Sequence, residues 1–156
     1  MTNKVLVTGA TGTLGQAVVA RFAAAGAHVG IHYRSDESAA RVLAETFSGE
    51  LLQADFGRED VAKVCSKVIS VFPANIFILN ASAQDVTAWN ELTIEKFDDM
   101  YRNSLRATAA MLFAAAEHLR TSQHDNKVIV LIGSIEGIRP APHHAAYSTM
   151  KAAIHF

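Results

Sequence analysis

The chain has 156 residues, half of them hydrophobic, and its 14 basic and 15 acidic residues give a formal net charge of -1. This length and composition suffice for one globular domain with a packed core, and they exclude an intrinsically disordered chain. Because the charge is balanced, the chain has no excess of basic residues that would bind a nucleic acid or an anionic membrane. The predicted partners are therefore small soluble molecules.

The cysteine count and the N-terminus indicate the compartment. The single cysteine excludes an internal disulfide, and Cys65 follows helical spacing with apolar neighbours, so it is interpreted as a core residue. The start of the chain lacks the h-region of a signal peptide, and no apolar run reaches about 18 residues. A cytoplasmic location is predicted.

Short β-branched runs alternate with longer segments of helical periodicity along the chain. The predicted strands are 5–8, 28–33, 51–54, 75–79 and 127–132, and the predicted helices are 13–25, 36–47, 58–71 and 94–120. The alternation predicts an α/β fold with a parallel sheet, right-handed crossovers and helices on both faces. No linker or repeat interrupts the pattern, so residues 1–156 are interpreted as a single domain.

A glycine-rich turn, "VTGATGTLGQAVVARFAAAG", follows the first strand and opens the first helix. Its glycines permit a tight turn, close approach of backbone N–H groups to a pyrophosphate, and packing of the helix on the strand. A glycine-rich loop without a ligand is the alternative. We predict a dinucleotide site contacted by Gly9, Thr11, Gly12, Thr13 and Leu14.

The end of the chain carries a second pattern. Tyr147 and Lys151 are four residues apart and share one face of a predicted helix, and the fifth strand "VIVLIGS" ends at Ser134, thirteen residues before the tyrosine. With Thr8-Gly9 after the first strand and Asn80 after the fourth, these residues resemble the short-chain dehydrogenase/reductase family over all 156 residues.

The resemblance implies a Rossmann-type, doubly wound parallel sheet in three layers with strand order 3-2-1-4-5. Two details depart from the usual family pattern. The middle glycine is expected at position 13, whereas this chain has Gly12 and Thr13, a spacing that resembles the extended subgroup. The segment "LNAS" replaces Asn-Asn-Ala-Gly, so Asn80 and Ala81 match while the flanking residues do not.

The end of the second strand, "IHYRSDES", is predicted to face the adenosine ribose. A carboxylate there would bind both ribose hydroxyls, whereas an arginine can bind a 2′-phosphate. Arg34 therefore favours NADP(H), with NAD(H) possible because Asp36 follows closely. Asp36 is interpreted as the helix N-cap, with Ser35 as the other candidate.

Two further loops match the family by position. Ala54 and Asp55 follow the third strand, and the resemblance places Asp55 opposite the adenine amino group. An N-cap for the next helix is the alternative role for Asp55, and both roles can coexist. Asn80 and Ala81 follow the fourth strand, and Tyr147 and Lys151 complete the predicted cofactor contacts.

The resemblance assigns catalysis to four residues, and the chemistry explains their types. Carbonyl reduction by hydride leaves an alkoxide that needs a proton, and a free tyrosine with a pKa of ~10 is poorly matched to neutral pH. The ammonium of Lys151 is predicted to favour the phenolate of Tyr147 and, by resemblance, to bind the nicotinamide ribose. Ser134 is predicted to orient the substrate oxygen, and Asn103 to support a water-linked proton path to the lysine.

The predicted activity is an NADP(H)-dependent oxidoreductase that interconverts a carbonyl and an alcohol. The alternatives are a pteridine-reductase-like C=N reductase, suggested by Asn80-Ala81-Ser82, and a nucleotide-binding module without turnover. The adjacent histidines 143 and 144 have no cysteine or carboxylate at ligand spacing, so no metal is predicted. The apolar stripe near Met111 fits either core or a subunit contact, and the family implies a homo-oligomer, a dimer or tetramer.

The domain is predicted to be incomplete at its C-terminus. A right-handed crossover after the fifth strand would deliver a sixth parallel strand through the helix that carries Tyr147. The sequence stops at Phe156, before such a strand. The fifth strand is therefore expected at a sheet edge with unpaired backbone groups.

Overall fold

Five short parallel strands form one sheet in the order β3-β2-β1-β4-β5, as the resemblance implied. The computed structural model describes residues 2–84, 86–139 and 141–155. Short apolar, β-branched runs make the central strands, which are buried on both faces. The strands are β1 Lys4–Val7, β2 His28–Tyr33, β3 Glu50–Gln53, β4 Ile76–Leu79 and β5 Val128–Leu131.

Helices connect the strands and cover both faces of the sheet. They are α1 Thr13–Ala24, α2 Glu37–Phe47, α3 Val61–Val71, α4 Ile94–Tyr101, α5 Ala107–Thr121 and α6 Ala145–Ile154, with 3₁₀ turns at Trp89–Glu91 and Ile135–Gly137. The predicted helix 94–120 is divided, because a π-helical segment, Arg102–Arg106, joins α4 to α5. The predicted start of the third helix at 58 was early, since Asp60 occupies the N-cap position of α3.

The alternation of side chains along the strands builds two apolar cores. On one face Leu6 and Phe77 pack with Cys65 of α3 and Met111 of α5. On the other face Val5, Val7 and Ile31 pack with residues of α1 and α2. The three-layer prediction is confirmed, and so is the core role of Cys65, whose burial raises the pKa of its thiol to about 12.

Two local predictions concern helix starts. The Asp36 carboxylate accepts a hydrogen bond from the Ala39 N–H at 3.0 Å, so it caps α2 as predicted. Asp55 does not cap α3, which begins six residues later. Its carboxylate instead accepts the Gly57 N–H at 2.9 Å and closes a turn within the loop.

Among the described residues, β5 lies at the edge of the sheet and pairs only with β4. Its Val130 side chain is 38% exposed, in contrast to the buried strands at the centre. No helix within the described ranges is long and apolar enough to span a membrane.

Candidate cofactor and catalytic site

A cleft of about 560 Å³ opens at the carboxyl ends of the strands. Loops that follow parallel strands meet at this edge, where α/β folds bind their ligands. The cleft brings together every predicted cofactor residue and three of the four predicted catalytic residues. Its lining includes Gly9, Thr11, Gly12, Thr13, Leu14, Arg34, Ala54, Asp55, Asn80, Ala81, Asn103, Tyr147 and Lys151, but not Ser134.

The glycines of the first turn have different physical roles. Gly9 has a φ of +63°, and a Cβ there would lie 2.9 Å from the Ala81 Cα, so the turn requires glycine. A Cβ on Gly15 would overlap the Gly9 carbonyl oxygen. A Cβ on Gly12 would meet only that same oxygen, at 3.6 Å, and would project beside the cleft. Gly9 and Gly15 are thus required for backbone packing, whereas the lack of a side chain at Gly12 leaves the cleft open beside the turn.

The amino end of α1 borders this space. Gly12 is its N-cap, no side chain caps the helix, and its first turn carries no acidic residue. The first N–H groups of a helix have no partner within the helix and carry its positive dipole end. Thr13 and Leu14 line the cleft here, so the turn fits an anionic pyrophosphate.

The loop after β4 is fixed to the glycine turn by hydrogen bonds. The Thr8 hydroxyl oxygen accepts the N–H groups of Asn80 and Ala81, each at 2.9 Å. The Asn80 side-chain amide donates to the carbonyl oxygens of Thr8 and Gly9, each at 3.0 Å. Asn80 therefore shapes the cleft wall by holding the glycine turn.

The predicted catalytic pair, Tyr147 and Lys151, lies on α6 and lines the same cleft. Lys151 is only 4% exposed, and its ammonium donates to the Ile132 carbonyl oxygen at 2.9 Å. Its Nζ lies 5.7 Å from the centre of the Tyr147 ring. Burial lowers the pKa of Lys151.

Ser134 follows β5 and lies near the part of the cleft that Tyr147 and Lys151 line. Its hydroxyl oxygen accepts the Glu136 N–H at 3.2 Å and caps the 3₁₀ turn. That turn packs directly on α6, since a Cβ on Gly137 would lie 2.8 Å from the backbone of Lys151 and Ala152. The turn therefore fixes Ser134 relative to α6.

Comparison with known proteins identifies the family. A family model described as short chain dehydrogenase matches residues 3–156. The chain belongs to this family. A 3beta-hydroxysteroid dehydrogenase from Eggerthella lenta is 27% identical over 157 residues, which cover 96% of this chain and 60% of that protein.

Solved structures agree with this assignment to the short-chain dehydrogenases. A short chain dehydrogenase from Burkholderia cenocepacia, solved with NADP, has a TM-score of 0.86 at 27% identity and matches 98% of this chain and 64% of its own. A 3-oxoacyl (acyl-carrier-protein) reductase from Agrobacterium tumefaciens, solved with NADP, has a TM-score of 0.85 at 28% identity, with 98% and 60% covered. The chain thus spans about 60% of the length of such relatives.

A buried histidine that sequence reasoning missed organises the cleft of this short-chain dehydrogenase. His32 on β2 is 3% exposed and stacks on Phe56 with ring centres 4.2 Å apart. Its Nδ1 accepts the Gly9 N–H at 3.0 Å, and its Nε2 lies 3.1 Å from the Ala54 carbonyl oxygen. The ring therefore carries its proton on Nε2, and burial lowers its pKa to about 4.

The Asn103 side chain lies at the rim of the cleft, beside Arg34. Its side chain is hydrogen-bonded to Arg34 and Asp99, and no bond joins it to Lys151 within the described residues. The next residue, Ser104, is fully buried, and its hydroxyl accepts the Ala83 N–H at 3.1 Å. Neither contact has a signal in the sequence, because both depend on the π-helical register.

A second contact missed from the sequence lies near Tyr147. His144 Nδ1 and the Glu136 carboxylate form a close pair, and the His144 ring stands edge-on to the tyrosine ring at 6.0 Å. The eight-residue separation of the pair gives no local spacing signal. Within the described ranges, no group of three or more His, Cys, Asp or Glu side chains is placed to hold a metal ion.

Proposed function

We propose that the protein is an NADP(H)-dependent oxidoreductase that interconverts a carbonyl and an alcohol. The observation that carries this proposal is the pair on α6: Tyr147 and Lys151 line the same cleft as the glycine turn. A phenol with a buried ammonium on its own helix face, opposite an anion-binding helix end, suits proton transfer beside a nucleotide.

In the proposed reaction, a bound nicotinamide supplies or accepts the hydride. Tyr147 donates a proton to the substrate oxygen in reduction and removes it in oxidation. Lys151 stabilises the phenolate, and its lowered pKa makes its own proton easier to release than that of a free lysine. Ser134 is proposed to donate a hydrogen bond to the same substrate oxygen.

The proposed preference for NADP(H) depends on Arg34. It is exposed at the rim of the cleft directly after β2, where a ribose 2′-phosphate is expected. The carboxylate nearest in sequence, Asp36, is bonded to the Ala39 N–H and caps α2. A guanidinium without a competing acid at the strand end favours the phosphorylated cofactor.

Calorimetric titration tests this preference. NADPH should bind about tenfold or more tightly than NADH, since a charge-assisted bond contributes roughly 1.5–3 kcal/mol. Arg34→Ala should weaken NADPH binding and leave NADH binding nearly unchanged. Arg41→Ala is a matched control, because Arg41 is also exposed but pairs with Glu37 on α2. Equal affinities of the unmutated protein for the two cofactors would contradict the assignment.

The homo-oligomer and the cytoplasmic location stay predictions. The proposed homo-oligomer is supported by the family, whose members commonly form oligomers, and Phe113 on α5, which is 71% exposed, is a candidate contact residue. Small-molecule carbonyl or alcohol substrates are proposed in keeping with the family.

A further inference from the structure

The side-chain amide of Asn103 joins two parts of the cleft rim. Its Oδ1 accepts a hydrogen bond from the Arg34 guanidinium at 3.2 Å. Its Nδ2 donates to the backbone oxygen of Asp99 at 3.0 Å and to the Asp99 carboxylate at 2.9 Å. Because Asp99 offers only acceptors on that side, the amide is oriented with its oxygen toward Arg34.

The amide is also packed against the loop that follows β3. A Cβ on Gly57 would overlap the Asn103 Oδ1, so the loop backbone passes directly over the amide. One turn later, the Arg106 guanidinium donates to the carbonyl oxygens of Arg58 and Glu59 at 2.8 and 2.5 Å. The same helical segment thus holds both Arg34 and the adjacent loop.

The π-helical register explains why Asn103 faces this rim. Arg102–Arg106 adds a residue to the turn between α4 and α5, which changes the direction of the side chains within it. Ser104 points into the core beside Ser82 and Ala83, and Asn103 points to Arg34. Consecutive residues of a helical segment point in different directions, so the two side chains contact different walls of the cleft.

We propose that Asn103 is a positioning residue that sets cofactor selectivity by holding Arg34 at the cleft rim. The bond engages one of the five guanidinium N–H donors and leaves the Nε side without an acceptor among the described residues. An arginine held in place loses less conformational freedom when it binds a phosphate. This inference rests on the proposed role of Arg34 in NADP(H) binding.

A double-mutant cycle on the complete gene product tests the proposal. Asn103→Leu removes the acceptor and keeps the branched shape of the side chain, and Asn103→Ala serves as the second variant if the larger leucine disturbs the loop at Gly57. Either should raise the NADPH Kd about three- to tenfold and change the NADH Kd less than about twofold. In the Arg34→Ala background the same substitution should have no further effect on NADPH binding, because Asn103 acts through the arginine.

Turnover measurements separate this role from a part in proton transfer. The Asn103 substitutions should raise the KM for NADPH rather than lower kcat, and the pH profile of kcat should keep its shape. The proposal that Asn103 acts through Arg34 would be overturned by a drop in kcat with both cofactors. It would also be overturned if the effects of the two substitutions on NADPH binding were additive. If Arg34→Ala itself fails to narrow the preference for NADPH, the proposed cofactor assignment fails instead, which is a distinct result.

Discussion

Lys151 and His32 are both buried at the cleft, and burial favours the neutral form of each. Protonation affects the two residues differently because their side chains make different hydrogen bonds. Lys151 donates to a carbonyl oxygen, a contact that an ammonium satisfies. His32 accepts the Gly9 N–H on Nδ1, a contact that requires an unprotonated nitrogen.

Protonation of His32 should therefore destabilise the protein in acid. Its pKa is about 4 in the folded protein and about 6.5 in an unfolded chain, so between these values the unfolded state binds more protons. The contribution of neutral His32 to the free energy of unfolding is therefore complete above about pH 6.5. It falls by about 3 kcal/mol as the pH drops to 4. Denaturant unfolding across pH 4–7 measures this slope.

A matched pair of substitutions isolates the buried ring. His32→Asn removes the titrating group and should flatten the slope between pH 4 and 6.5, at the cost of lower stability at pH 7. His28→Gln is the control substitution, because His28 lies on the same strand but is exposed. An unchanged slope in His32→Asn would show that other groups dominate acid sensitivity.

Tyr147 is the residue on which the proposed chemistry depends. Tyr147→Phe keeps the ring, which packs with Met100, Ala146 and Met150, and removes only the hydroxyl. We expect turnover to fall by about 100-fold or more, as for loss of a general acid, with NADPH binding nearly unchanged. Steady-state kinetics beside calorimetry measure both quantities. Retention of most of the kcat would exclude Tyr147 as the proton donor.

Hydrophobic periodicity predicted the strands, the helices and the three layers because those depend on which side chains are buried. Strand order followed from the family resemblance. The Tyr147–Lys151 pair was predicted because four-residue spacing fixes a shared helix face.

The structural details that the sequence did not predict depend on helical register or on contacts between distant residues. The start of α3 at Val61 rather than 58 reflects a loop tied to Arg106, 48 and 47 residues from its two acceptors. The direction of Asn103 reflects a π-helical segment, which has no distinct composition. His32 was missed because a lone histidine in an apolar strand does not indicate which backbone groups it contacts.

Because the cleft is built from the ends of all five strands, ligand binding is coupled to folding. A ligand that binds only the folded state raises stability by about 2.7 kcal/mol at about 100 times its Kd. For a domain of this size that corresponds to a rise in Tm of about 5–10 °C. NADPH should therefore raise the melting temperature markedly, and more than NADH at the same concentration.

Two glycine substitutions should separate folding from binding in this assay. Gly12 has a φ of -71° at the N-cap of α1, so Gly12→Asp fits the backbone without strain and supplies a capping carboxylate. It also puts a negative charge where the pyrophosphate is expected, so its Tm without ligand should be kept or raised while the NADPH shift disappears. Gly15→Ala should instead lower the Tm without ligand, because the added Cβ overlaps the Gly9 carbonyl oxygen. Differential scanning calorimetry with and without NADPH measures both effects, and a full NADPH shift in Gly12→Asp would place the pyrophosphate away from α1.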